Sequence, residues 1–320
     1  MKRGLVIAVA ALSLLAIQAT AADYPNRPIR VFTTSSAGGI SDVFMRVLND
    51  ALQSRLGQPL VIENKPGGAG NIAARACQDA QPDGYTICII NADTMIYNQF
   101  LFKQIPFSPE KGLTPIVNLF HLIQAVVVNA DLNVKSMDDL VALSKQKPGT
   151  LNYLTASIPC VVYMDNLKRD KGADWVRVPF RGGGEAVTAV LGGSTPIAMI
   201  GIGNVMGQVK AGKMTALALV NNIRTPLLPD VPTWADLGYK GAASETWYGL
   251  FAPAGTPKAI IDRLNGEIVK VVADPAFREK NIIARGLVPA TGSPEDFAKA
   301  IAAGRVAAKQ VVKESGLPPQ

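Results

Sequence analysis

The stretch from Ile29 to Ala74 constrains the fold more than any other, because it holds two successive strand-to-helix turns rich in glycine. The first runs Ile29-Arg30-Val31-Phe32-Thr33, then Thr34 to Ser41 with Gly38-Gly39 inside it, then a helix expected from Asp42. The second runs Leu60-Val61-Ile62-Glu63-Asn64, then Lys65-Pro66-Gly67-Gly68-Ala69-Gly70, then a helix from Asn71. Glycine lets the backbone approach a ligand closely, and a helix N-terminus offers unpaired N–H groups at the positive end of its dipole. Two such turns at one edge of a sheet make a seat for an anion.

The same alternation continues along the chain. Strands are expected at Thr86–Ile90, Leu151–Thr155, Trp175–Phe180, Pro196–Ile202, Met214–Val220 and Trp247–Ala252. Between them lie helices capped by Ser136 or opened by proline after a capping residue, as at Thr256-Pro257, Asp274-Pro275 and Ser293-Pro294. In the last helix Phe297, Ala300, Ile301 and Gly304 fall on one face. This is an α/β pattern, read as parallel sheets with covering helices. No long linker separates two halves, so chain crossings near Asn118–Gln124 and Leu237–Ser244 are the expected boundaries. They give a first domain of residues 23–120 and 245–320 and a second of 121–244, which can hinge.

Lys2 and Arg3 precede an apolar run from Leu5 to Ile17 and the small residues Ala19-Thr20-Ala21-Ala22. That order is the signature of a secretory signal, 1–22, cleaved at Ala21 or Ala22. The mature chain of about 300 residues exceeds the usual size of one core, so two domains are the default. Without Lys2 and Arg3, 30 basic residues face 25 acidic ones. The basic residues are scattered, and the cluster Lys168-Arg169-Asp170-Lys171 is interrupted by an acid, so no nucleic-acid surface is expected.

Signs of catalysis are sparse. His121 is the sole histidine, set between Phe120 and Leu122, and reads as structural rather than as a general base. No GxSxG turn or HExxH motif occurs. Gly68-Ala69-Gly70-Asn71-Ile72-Ala73 fits a dinucleotide loop in form, but Lys65-Pro66 lengthens the turn and an exported chain rarely meets that cofactor. A glycine turn set by packing is preferred. Cys77, Cys88 and Cys160 resemble no metal site; a bridge between Cys77 and Cys88 is conceivable, but buried free thiols are the favoured reading.

Phe32 to Arg46, with Gly38-Gly39, Asp42 and Arg46, resembles the first loop and helix of the Bug-type solute receptors of tripartite tricarboxylate transporters. Val61 to Ile72, Pro82-Asp83-Gly84-Tyr85-Thr86, Pro229-Asp230-Val231-Pro232-Thr233 and Trp247 to Pro257 are similar to other segments of that family. The resemblance runs from about Tyr24 to the C-terminus. It implies a periplasmic-binding-protein fold, two α/β domains with a hinged ligand cleft, in an extracytoplasmic receptor that is usually a monomer. Such a receptor captures an organic acid for the membrane subunits of its transporter, without a cofactor or covalent chemistry.

Carried over by position, Ser35, Ser36, Ala37, Gly38, Gly39, Ser41 and Asp42 line the first wall, with Asn91, Ala92, Asp93 and Thr94 beside them. Ser157, Ile158, Pro159, Phe180, Arg181, Gly182, Gly203 and Asn204 occupy turns of the second wall. Plainer roles stand beside these. Asp42 also serves as a helix cap, Arg181 as a surface partner of Glu185, and Phe180 as core. Apolar Pro159-Cys160-Val161-Val162 replaces polar residues common in relatives, which favours an aromatic or medium-chain carboxylate over citrate or an amino acid; the expected ligand is an organic carboxylate, with a dicarboxylate or aromatic acid preferred. A ligand-sensing partner of a signalling receptor is the alternative, and a secreted hydrolase or isomerase is a weaker one.

Overall fold

The computed structural model describes residues 24–155, 157–178, 183–221, 223–239 and 246–315. The expected signal segment, 1–22, lies outside them. Among the described residues no helix is long and apolar enough to cross a membrane.

The chain begins with β1 (Ile29–Thr33), α1 (Ile40–Leu56), β2 (Leu60–Asn64), α2 (Asn71–Gln78) and β3 (Thr86–Asn91). A π-turn at Asp93–Tyr97 runs into α3 (Asn98–Leu101), and β4 (Leu113–Leu122) follows. Next come β5 (Gln124–Asn129), α4 (Met137–Gln146), β6 (Asn152–Leu154), α5 (Ile158–Lys171), β7 (Val176–Arg177) and α6 (Gly183–Leu191). After these are β8 (Ile197–Gly201), α7 (Met206–Lys210) and β9 (Met214–Leu219). The chain then returns as β10 (Trp247–Pro253), α8 (Lys258–Ala273), α9 (Pro275–Asn281), β11 (Leu287–Pro289) and α10 (Pro294–Ser315).

Two sheets result, ordered β11-β4-β10-β3-β1-β2 and β7-β6-β8-β5-β9. Neither is purely parallel, which corrects the expectation from sequence. β1 pairs in parallel with β2 and β3, but β10 runs antiparallel to β3 and β4. In the second sheet β5 runs antiparallel to both β8 and β9. β5 and β10 each receive the chain from the other sheet, so they enter from the opposite end, and β11 also runs antiparallel to β4. β4 leaves the first sheet at Leu122 and β5 enters the second at Gln124, with only buried Ile123 between them.

Helices cover both faces of each sheet. α1 and α8 bury Phe44, Leu48, Leu264 and Ile268 against Val31, Ile87 and Leu250. On the opposite face Phe297 and Ile301 of α10 pack with Trp247 and Phe251. Ala300, expected on that stripe, is exposed, and Gly304 lies close to Ile96 instead. α10 also lies against α5, so it touches both layers. Cys77 of α2 and Cys88 of β3 form a disulfide, which overturns the reading of free thiols. Helix and strand bring their Cα atoms to 6.1 Å, within bridging range. Cys160 is the free, buried thiol.

Candidate functional site

The loop after β1 is built around a buried carboxylate. Asp42 is 2% exposed. It accepts the Gly38 N–H at 2.9 Å, the Arg46 guanidinium at 2.8 Å and the Asn64 amide at 3.0 Å. Burial pushes the Asp42 carboxyl up, but the bonds from Arg46, Gly38 and Asn64 prevail and hold it below the usual carboxylate range. Asn64 also donates to Thr33 and to the Ser35 carbonyl, so the loop is tied to β2. The Ser35 hydroxyl accepts the Asp42 N–H at 3.3 Å and pairs with Ser41 at 2.6 Å. Gly39 permits this, since a Cβ there would meet the Ser35 side chain. α1 starts at Ile40, two residues before the expected position. Its Ile40 and Ser41 N–H groups find no acceptor among the described residues, and Ser36 and Ala37 are exposed.

The second glycine turn is a packing device. Gly70 has φ 88°, and a Cβ on it would collide with Thr94. Thr94 and Asn98 both reach the Ala69 carbonyl, at 2.9 and 3.0 Å. These contacts pin the turn to the exit of β3, where Asn91 accepts from Thr94 and Ala92 is fully buried. Asp93 differs from its neighbours: its carboxyl makes no ion pair or hydrogen bond among the described residues. It keeps some open surface, yet protein surrounds it, and this desolvation pushes its carboxyl up to about 6. Tyr248 is also pushed up, first by burial and then by the nearby Asp93.

On the second sheet, α5 begins at Ile158, so Pro159 and Cys160 lie in its first turn. Ser157 is buried just before it and donates its N–H to Thr155 at 3.2 Å. Burial pushes the Cys160 thiol up to about 12, and the thiol donates to Gln124 Oε1 at 3.3 Å. An inert, protonated thiol fits this setting better than a nucleophile. Phe180, Arg181 and Gly182 lie outside the described residues. Gly203 and Asn204 form the turn after β8, where the Asn204 amide donates to the Gly201 carbonyl at 3.2 Å.

A cavity of about 680 Å³ opens between the two sheets. Of the residues expected from sequence, Gly38, Gly39, Gly203 and Asn204 line it. Ser35, Ser36, Ala37, Ser41, Asp42, Asn91, Ala92, Asp93, Thr94, Ser157 and Pro159 do not, and the Ile158 side chain lies outside the described residues. The sequence reading missed one apolar wall, Ile40, Val43, Phe44 and Val47 of α1, and another formed by Leu122, Met199, Ile200 and Leu287. The α1 stripe falls at i, i+3, i+4 and i+7, a visible signal that also marks a core-facing helix. Gln124, Tyr248, Asn281 and Arg285 add polar groups, and no sequence motif flagged them.

The sequence matches the tripartite tricarboxylate transporter family receptor over residues 44–317. It is 31% identical to protein BugT of Bordetella pertussis over 318 residues, 98% of this chain and 96% of that one. Among solved structures, R. palustris Rpa4515 with adipate superposes with a TM-score of 0.85 at 26% identity, covering 93% of this chain and 100% of the other. MatC of Rhodopseudomonas palustris with bound malate gives 0.78 at 26% identity, covering 90% and 100%. The mixed two-sheet architecture is the two-domain fold of these solute-binding proteins. The chain therefore belongs to the Bug-type receptors of the tripartite tricarboxylate transporter family.

Proposed function

We propose that this chain captures a small organic carboxylate, a dicarboxylate or aromatic acid, in the cleft between its sheets and delivers it to the membrane subunits of a tripartite tricarboxylate-type transporter. The observation that carries the reading is the cavity itself. One wall holds the α1 N-terminus, where the Ile40 N–H is unspent among the described residues, another holds the turn at Gly203 and Asn204, and apolar side chains lie between. Preformed N–H donors stabilise a carboxylate, and closing the second wall over it strengthens those bonds by excluding water. The adipate and malate seen in two relatives support the ligand class.

The lobes are residues 23–120 with 245–320, and 121–244. The sheets support this division, because β5 to β9 build one and the remaining strands build the other. Segment 1–22 directs export to the periplasm and is removed, and the mature receptor acts as a monomer. Ligand must favour the closed form, because only differential affinity shifts that equilibrium. No catalytic step is assigned, since the free thiol is held protonated and Asp42 is spent on Arg46, Gly38 and Asn64.

A thermal-shift screen of the mature protein against aliphatic, aromatic and tricarboxylic acids tests the reading. Ligand at 100 times its Kd adds about 2.7 kcal/mol, which moves the midpoint by several degrees. A selective rise with a dicarboxylic or aromatic acid is expected. A folded, ligand-free preparation that shifts with none of them would overturn the carboxylate assignment.

A further inference from the structure

The cavity contains hydrogen-bonding capacity that the protein does not use. Asn281, the last residue of α9, is only 8% exposed and lines the cavity. Among the described residues its side-chain amide makes no hydrogen bond. The Asn281 amide is not among the polar atoms sealed away from water without a partner, so it opens toward the cavity and is free to bond a group placed there. Arg285 lies four residues further on and lines the same cavity. It is exposed and makes no ion pair or side-chain hydrogen bond among the described residues. Among the described residues no aspartate or glutamate lines the cavity to neutralise it.

The backbone at Arg285 is fixed against the opposite wall. A Cβ on Gly203 would collide with the Arg285 carbonyl oxygen, so glycine lets the two sheets' turns meet there. Val43, Phe44, Val47 and Leu287 line the same space. One unpaired cation, one open amide and an apolar wall match an anion attached to an apolar body.

We propose that Asn281 and Arg285 determine specificity by reading a second carboxylate, so that the substrate is a dicarboxylic acid with an apolar chain or ring between its two charges. This rests on the carboxylate-receptor reading above. The first carboxylate meets the α1 N-terminus, and the body lies along the α1 stripe. The second meets the guanidinium, whose planar fork suits a carboxylate, with the Asn281 amide as an added donor.

The test is calorimetric titration of the mature protein with matched probes, adipate against hexanoate and terephthalate against benzoate. In the pair that binds, the diacid is expected to bind at least about tenfold more tightly than the monoacid. Arg285→Gln should weaken the diacid about tenfold and leave the monoacid within about twofold, collapsing the preference. Asn281→Ala should act in the same direction by about threefold. The exposed Arg285 has no partner to lose, so its variant keeps the fold, and an unchanged melting midpoint confirms that. Equal loss for both acids, or an undiminished preference in Arg285→Gln, overturns the proposal and leaves the receptor reading standing. Equal binding of both acids by the unmodified protein does the same. Failure of every acid to bind removes the carboxylate reading and the proposal with it.

Discussion

Two aspartates stand just beyond the ends of neighbouring parallel strands, Asp42 after β1 and Asp93 after β3. Asp42 has almost no open surface, yet its cover is thin: its own loop and the half-exposed Arg46. Asp93 keeps some open surface but is desolvated by the protein around it, and among the described residues no cation or donor answers its carboxyl. Coverage and depth are thus different properties. Partners decide the first case and depth the second, so one carboxyl is held low and the other is raised to about 6. Among the described residues Asp42 is spent on the loop's own groups, the Gly38 N–H, the Arg46 guanidinium and the Asn64 amide. Asp93 is the charge that the fold has left uncompensated.

The largest expected effect comes from breaking the compensated side. Asp42→Ala leaves Arg46, the Gly38 N–H and the Asn64 amide without their shared acceptor. A loss of roughly 2–4 kcal/mol is expected in urea unfolding at pH 7, below the full cost of a buried pair because Arg46 meets water. A loss under about 1 kcal/mol would show that the loop stands without this knot. The sign with pH follows from the lowered carboxyl. Its stabilisation is complete above the unfolded value and is lost as the pH falls through the folded one.

Asp93 has the opposite sign. The folded state binds its proton more tightly than the unfolded state does, so stability is greatest below the ordinary value of 3.8 and declines as the pH rises to about 6. A shift of that size corresponds to about 3 kcal/mol, and the open surface reduces it. Asp93→Asn should therefore stabilise the protein by roughly 1–3 kcal/mol at pH 7.5 and flatten the decline between pH 4 and 6. A destabilised variant with an unchanged pH profile would mean that the carboxylate has a partner in solution.

The contrast also shows what a sequence of this kind makes legible. The glycine pair at Gly38-Gly39 and the apolar strands around it located the first turn, because local chemistry alone requires both. The antiparallel return of β10 was not legible, since pairing direction depends on where the chain comes back from. β4 and β5 were hidden for a related reason. The run from Ile116 to Asn129 has no glycine or proline to mark its break, and the crossing takes place at Ile123. The disulfide required a helix and a strand to meet at one distance, which spacing does not specify. Asn281 and Arg285 come from a segment far along the chain, and only the packing of α9 beside the second sheet's turn gives them a shared cavity with Gly38. Polar and apolar roles on α1 were separable only in part, because the stripe that lines the cavity has the spacing of core.

The same division between spent and unspent groups recurs within one loop, and there the effects are smallest. The Ser35 hydroxyl accepts the Asp42 N–H and pairs with Ser41, whereas Ser36 is exposed and its hydroxyl has no partner among the described residues. Ser35→Ala should cost about 1 kcal/mol of stability, as the loss of a helix cap does. Ser36 lies outside the cavity lining, so it meets the acid only as the cleft closes; Ser36→Ala should leave stability within about 0.5 kcal/mol, as a surface change does, and weaken acid binding by about 1 kcal/mol through that lost contact. Urea unfolding and titration with adipate, run on both variants, separate the two roles. An affinity left intact in Ser36→Ala would assign the first carboxylate to the backbone of the α1 N-terminus at Gly38 to Ile40 alone. A stability left intact in Ser35→Ala would place the capping of α1 on Asp42 and its bond from Gly38.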